Sequence, residues 1–312
     1  MKDKILVIGA CGQVGTELVE NLQQIYGNSQ VVASDVRTST HEVFTQSEFV
    51  QLDVLDKVQI KNVFQKYQPT IVYHLAALLS ATAEAKPKLG WELNMDGTFN
   101  IFDACLDHQV KRIFWPSSIA VFGPTTPAIH TPQRTILEPN TVYGITKSTG
   151  ERYCEYYHNR YKLDVRSIRY PGLIGWKSLP GGGTTDYAVD IFHQALKQGQ
   201  YDCFLGPTTT LPMMHMEDAV RATLEITEAP SNAIKIRSSY NIAGVSFNPE
   251  ELTQEIQKYI PNFTITYTPD HRQQIADSWP QSIDDHIARA DWGWQEKYNL
   301  EKLVVNMLDN LK

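Results

Sequence analysis

Short apolar runs recur along the first two-thirds of the chain, with helical stretches between them. The runs KILVIGA, QVVASDV, TIVYHLAA, RIFWPSSIAVFG and DVRSIRYPGLIG are largely apolar rather than strictly alternating. Strands covered on both faces read in this way. The intervening GTELVENLQQIYG, VQIKNVFQKY and GTFNIFDACLDH are helical candidates. Strands alternating with helices predict a parallel sheet between two helical layers, a doubly wound α/β domain over residues 1–175.

Beyond residue 175 the pattern turns irregular. SLPGGGTTDY and FLGPTTTLPMMH are rich in turn residues. YNIAG (240–244) reads as one more buried strand, so residues 236–245 are predicted to return to the main sheet. PEELTQEIQKYI and LEKLVVNMLDNL are amphipathic helices. Residues 176–312 are therefore predicted to form mainly a smaller, interleaved substrate domain.

Composition removes several function classes. Of 312 residues, 42% are hydrophobic, enough for a sizeable core, and the net charge of −7 is dispersed. No basic patch suggests nucleic acid or a membrane surface. Cys11, Cys105, Cys154 and Cys203 are too scattered for a disulfide framework or a structural zinc site, and no metal is expected. MKDKILVIGA runs into an apolar strand without a cleavage region, and no apolar run approaches a membrane span. A soluble cytoplasmic protein is predicted.

The first strand is followed by GACGQVG, with Gly9, Gly12 and Gly15 opening a helix. Gly9 permits the tight turn, Gly12 lets backbone approach a pyrophosphate, and Gly15 permits close helix packing. The helix N-terminus then faces the phosphate charge. Asp35 ends the second strand, where a carboxylate accepts both ribose hydroxyls and repels a 2′-phosphate. This Rossmann arrangement predicts NAD as cofactor. Arg37 works against the preference, because a nearby arginine can hold that phosphate. Asp53, after a third strand, is a candidate for the adenine amine; its alternative is a helix cap or turn residue.

Tyr143 and Lys147 stand four residues apart in VYGITKSTGE and share a helical face. A phenol with a pKa of ~10 is a poor base at neutral pH. An ammonium and an oxidised nicotinamide nearby both favour the phenolate, which can take a proton from an alcohol. Ser117 and Ser118 follow the strand RIFWP, where sites on parallel sheets open, and a serine there can orient the substrate oxygen. Asn94 is mid-helix, where asparagine is disfavoured. It is a candidate to hold a relay water; its alternative is a kink or a buried polar contact.

The combination of GxxGxxG, HLAA (74–77), Asn94, SSIAVFG (117–123), YxxxK and RYPGLIG (169–175) resembles the extended short-chain dehydrogenase/reductase superfamily across essentially the whole chain. The resemblance implies Ser118, Tyr143 and Lys147 as catalytic triad, with Lys147 also binding the nicotinamide ribose. It implies that Leu75, Ala76 and Ala77 line the cofactor and that Tyr170 and Pro171 flank its nicotinamide end. Gln13, Val14 and Val54 are further expected cofactor contacts. It also implies a homodimer built from the helices around 93–108 and 144–160, a face suited by Tyr153, Tyr156 and Tyr157.

Many members of that superfamily act on nucleotide sugars and carry an Arg-Asp pair where this chain has Leu211 and Pro212. Residues 175–285 contain seven dispersed Lys or Arg, poor provision for a diphosphate. AALLSA (76–81), PGGGTTDYAVDIF (180–192), LPMMHMEDA (211–219), DSWPQSIDD (277–285) and ARADWGW (288–294) are instead similar to the short-chain branch of L-threonine 3-dehydrogenases. That resemblance implies substrate contacts from Ser80, Ser118, Tyr143, Thr185 and Trp279, with L-threonine oxidised at Cβ to 2-amino-3-oxobutanoate. The competing readings are a nucleotide-sugar epimerase or dehydratase, and a non-catalytic NAD-binding regulator. His215 is assigned no role.

Overall fold

The computed structural model describes residues 2–181 and 183–312. Gly182, inside the PGGGTT turn, lies outside the described residues.

The first apolar runs form strands β1 (Ile5–Ile8), β2 (Val31–Asp35) and β4 (Ile71–His74), every residue of which is buried. Strand β3 (Glu48–Gln51) is half-exposed and lies at the sheet edge. With β5 (Arg112–Phe114) and β7 (Val165–Arg166) they form a six-stranded sheet in the order β3-β2-β1-β4-β5-β7. Its pairings are all parallel. Strand order reverses between β1 and β4, the switch point at which open α/β sheets bind ligands.

Two runs expected as single strands are divided at prolines. Pro116 has no N–H to give to the ladder, so RIFWPSS splits into β5 and β6 (Ser117–Ser118). The register is unchanged across the break: Ile113 pairs with Val165, and Ser117 with Arg169. The run around RYPGLIG splits into β7, β8 (Ile168–Tyr170) and β9 (Gly172–Ile174). Past Pro171 the chain changes partners. Strand β9 joins β11 (Leu211–His215), which pairs antiparallel with β13 (Val245–Phe247). Strand β12 (Tyr240–Asn241) lies parallel to β8. A separate parallel pair joins β10 (Gln200–Cys203) to β14 (Thr264–Tyr267).

Helices cover this framework. The glycine turn opens α1 (Gln13–Tyr26), followed by α2 (Glu42–Thr45) and α3 (Lys57–Tyr67). After β4 come α4 (Ser80–Ala85), α5 (Pro87–Trp91) and α6 (Gly97–Asp107). Residues Glu92–Asp96 between α5 and α6 are wound as a π-turn. The long helix α7 (Val142–Tyr161) packs on β6 and α4. The C-terminal part contributes α8 (Tyr187–Gln198), α9 (Met216–Glu228), α10 (Pro249–Gln257), α11 (His271–Asp277), α12 (His286–Trp292) and α13 (Leu300–Leu311). Two cores lie on the two faces of the six-stranded sheet, and a third, around Tyr187, Phe192, Met213, Phe247 and Met307, fills the C-terminal part. No helix among the described residues is long and apolar enough to cross a membrane.

Candidate active site

The glycine turn sits where β1 meets α1. Gly9 has φ +85°, and a Cβ there would stand 2.6 Å from the backbone N of Ala76. A Cβ on Gly15 would stand 2.4 Å from the Gly9 carbonyl. Both positions exclude a side chain. No side chain caps α1, whose N-cap is Gly12. The N–H groups of its first turn, beginning at Gln13 and Val14, are thus left for an anion.

Asp35 closes the turn from the end of β2. It is buried, and its carboxylate accepts the backbone N–H of Cys11 at 3.0 Å and of Arg37 at 3.0 Å. The exposed Arg37 guanidinium adds a third bond at 3.2 Å. Arg37 is therefore drawn onto Asp35. These features fit a dinucleotide: an uncapped helix start, a cradle that a Cβ would fill, and a fixed carboxylate beside it. Leu75, Ala76 and Ala77 continue from β4 past Gly9 and are half-buried, with the Leu75 N–H held by the Ile8 carbonyl at 2.7 Å.

Two further expected cofactor contacts follow β3. Asp53 accepts the Leu55 N–H at 2.9 Å, closing its own turn. Val54 is buried in the core against Gly97.

The second cluster forms where α7 begins. Thr141 caps the helix by accepting the Gly144 N–H at 3.1 Å. Gly144 has no room for a Cβ, which would fall 2.2 Å from the Ala120 carbonyl. That close approach brings Tyr143 beside Ser118. The Ser118 hydroxyl accepts the Ala120 N–H at 3.2 Å. One turn on, Lys147 donates from Nζ to the Pro116 carbonyl at 2.6 Å. Its ammonium lies 4.4 Å from the centre of the Trp115 ring and 5.6 Å from that of Tyr143.

Electrostatics here differ from the expectation of a phenol depressed by its lysine. Burial pushes Tyr143 up to about 12, against the opposing pull of the nearby Ser118 hydroxyl. Burial likewise pushes Lys147 down to about 7, with Cys154 and Glu151 acting the other way. Desolvation penalises both charged forms, and without a cofactor cation it outweighs the local polar contacts. His74, buried at the end of β4, is pushed down to about 3 by burial and then by the Lys147 charge, so it is neutral.

Asn94 lies in the π-turn, where its amide makes three hydrogen bonds. It accepts the Leu78 N–H at 2.7 Å and donates to the Leu78 carbonyl at 3.1 Å and to Thr146 Oγ1 at 3.2 Å. It ties the loop after β4 to α7 as a buried polar contact. The Tyr170 hydroxyl pairs with Thr223 on α9 inside the core.

The residues expected around the substrate come from separate elements. Ser80 is buried at the start of α4. Thr185 packs against Gly172, its Cγ2 2.7 Å from where a Cβ would stand. Trp279 is 8% exposed in the C-terminal core, and Tyr143 packs against that same cluster. His215 stacks on Tyr298 at 3.9 Å and caps α9. Leu211 is fully buried in β11.

Sequence reasoning missed the support beneath this site. Glu151, fully buried one turn after Lys147, accepts Ser117 Oγ at 2.6 Å and both arms of Arg169 at 2.7 Å. Arg169 also reaches Asn241 Oδ1 at 2.9 Å and the Gln133 carbonyl at 3.1 Å. The i+4 spacing of Glu151 from Lys147 was its one visible signal. The exposed aromatic face on α7 holds Tyr153, Tyr156 and Tyr161, with Phe99 edge-on to Tyr153 at 4.6 Å. Tyr157 packs internally instead, bonded to Asp103 at 2.7 Å.

A dinucleotide cradle and a Tyr-Lys-Ser cluster at the same sheet edge define an NAD-linked short-chain oxidoreductase framework. The chain belongs to the NAD dependent epimerase/dehydratase family, whose model matches residues 5–243, and NAD is its cofactor. It is 44% identical over 309 residues to the mitochondrial L-threonine 3-dehydrogenase of Bos taurus, spanning 99% of this chain and 82% of that protein. A GalE-like L-threonine dehydrogenase from Cupriavidus necator in its holo form superposes with a TM-score of 0.96 at 51% identity, covering 99% and 100% of the two chains. A monomeric L-threonine 3-dehydrogenase from a metagenome, in its apo form, superposes with a TM-score of 0.95 at 46% identity, covering 98% of each.

Proposed function

We propose that this chain oxidises L-threonine at its Cβ hydroxyl to 2-amino-3-oxobutanoate, as an NAD-dependent L-threonine 3-dehydrogenase of threonine catabolism. The observation that carries the reading is Tyr143 beside Ser118 at the sheet edge, with the Lys147 ammonium 5.6 Å from the centre of its ring. Named relatives of high identity over the whole chain support the substrate.

Bound NAD supplies the hydride acceptor and, at its oxidised nicotinamide, a positive charge. Ser118 holds the substrate oxygen, and Tyr143 as phenolate takes the hydroxyl proton while the Cβ hydrogen departs as hydride. Returning a phenol from about 12 to neutral pH requires ~7 kcal/mol of differential stabilisation. Lys147 and the cofactor charge act in that direction. Thr185 and Ser80 hold the amino-acid end, and Trp279 closes over the methyl group. Asp35 takes the ribose hydroxyls and disfavours NADP. Helices α6 and α7, with Tyr153 and Tyr156 exposed, form the face of a homodimer.

A nucleotide-sugar substrate is disfavoured, because Leu211 is buried within β11 and offers a diphosphate nothing. The test is NADH absorbance after mixing purified protein, NAD and L-threonine, with a UDP-sugar in parallel. Absence of NADH with L-threonine and with related 3-hydroxy amino acids defeats the proposal.

A further inference from the structure

A cleft of about 390 Å³ opens between α1, α9, the Gly175–Lys177 turn and the segment at Lys297 and Tyr298. It lies outside the Tyr143 cluster and has no part in the proposed oxidation. Glu17, on the second turn of α1, lines its wall and is only 8% exposed. Its side chain stands 3.5 Å from the position of a Cβ on Gly175. Among the described residues no hydrogen bond or ion pair reaches its carboxyl oxygens, which remain accessible from the cleft. Burial pushes this group up to about 7; Lys177 pulls it down, and Glu217 and Glu20 push it further up.

Most of the charged side chains around it are paired; Lys297, exposed at the rim, makes no ion pair among the described residues. Lys177 pairs with Glu20 at 2.6 Å, and Arg221 pairs with Asp218 at 2.7 Å and Glu225 at 2.8 Å. Glu217 accepts the Tyr298 hydroxyl at 2.7 Å. Glu17 is therefore the one buried carboxyl of the wall without a partner among the described residues. Burial without a partner favours its neutral form, and an approaching cation would favour the carboxylate. A single carboxylate with apolar neighbours suits an organic ammonium, which needs one charged partner and room for its carbon chain. Glu17, Glu20 and Glu217 together repel an anion. Trp176, Met216, Val220 and Leu224 supply an apolar wall, and the volume suits a small molecule.

We propose that this cleft binds a small ligand bearing a protonated amine, with Glu17 as its ion-pair partner and Trp176 and Met216 against its carbon chain. The ligand would touch both the helix behind the dinucleotide turn and the turn that leads to Thr185.

The test is calorimetric titration of the full-length protein with n-butylammonium chloride, using 1-butanol and sodium butyrate as neutral and anionic controls. The ammonium is expected to bind at least about tenfold more tightly than either control, and Glu17→Gln to weaken it about tenfold with an unchanged unfolding profile. Equal binding of ammonium and butanol, or an unaltered affinity in Glu17→Gln, overturns the proposal. If Glu17→Gln fails to fold, the amide spectrum of the wild-type protein decides. Shifts induced by butylammonium at Gly175 and Trp176 support the site; shifts confined elsewhere, or none, overturn it.

Discussion

Lys147 gives its ammonium to the main-chain carbonyl of Pro116 at 2.6 Å, and Pro116 is the residue that interrupts the strand leading to Ser118. A proline thus creates the ladder gap, and the lysine binds the carbonyl beside it. The contact braces α7 against the sheet edge, so Tyr143 and Ser118 are held in fixed relation. Lys147 acts on the phenol through space rather than by contact with its oxygen.

Removing the phenolic oxygen isolates the proton-transfer step. Tyr143→Phe is expected to lower kcat by about 10³-fold, within the range of general-base contributions. NAD affinity should change by less than about twofold. Steady-state rates beside a fluorescence titration with NADH check both halves. Normal turnover in the variant rules Tyr143 out as base.

The pKa directions give a stability signature with a definite sign. Lys147 is lowered from 10.5 to about 7 in the folded protein. Below about 7 the lysine is protonated whether the chain is folded or not, and the full burial penalty applies. Between about 7 and 10.5 the unfolded chain keeps a proton that the folded chain has shed, so stability rises with pH. Relative to Lys147→Met, the wild type should gain up to about 1.4 kcal/mol per pH unit across that window. Urea unfolding from neutral to alkaline pH measures it; parallel curves for the two proteins contradict the assignment.

The Glu151–Arg169 pair should respond strongly to loss of one partner. In Glu151→Gln an amide replaces a carboxylate that serves Ser117 and both arms of Arg169. Breaking such a buried pair is expected to cost ~3–5 kcal/mol, read by urea unfolding. A change under about 1 kcal/mol would show that the pair carries little of the stability.

Much of this framework was legible in the chain. Largely apolar strands, the glycine turn and Asp35 marked the sheet and the dinucleotide cradle, because local sterics and burial act within a few residues. Tyr143 and Lys147 stand on one face because helical spacing dictates it. What stayed hidden depends on neighbours far apart in sequence. Glu151 meets Arg169 because β6 pairs with β8 at one register, which no local pattern reveals. Asn94 offered a plausible relay amide, yet it bonds the loop at Leu78. Tyr157 and Tyr156 are adjacent on one helix, but Asp103 on α6 draws Tyr157 inward. The prolines at 116 and 171 were visible breaks inside apolar runs, and their meaning appeared only with the partner strands.

The glycine cradle offers a steric test. At Gly15 the nearest obstacles to a Cβ are backbone atoms, the Gly9 carbonyl at 2.4 Å and the Ala10 carbonyl at 2.7 Å, which cannot rotate away. Gly15→Ala is expected to destabilise the fold by ~1–3 kcal/mol and to weaken NAD. Thermal unfolding with and without NAD checks this, and wild-type behaviour in both would show that helix and turn can separate freely.

Supplying L-threonine deuterated at Cβ tests the central claim most directly. Mass analysis of the NADH formed should show one deuterium per molecule, with formation lost in Tyr143→Phe. NADH without deuterium, or no NADH at all, would contradict oxidation at that carbon.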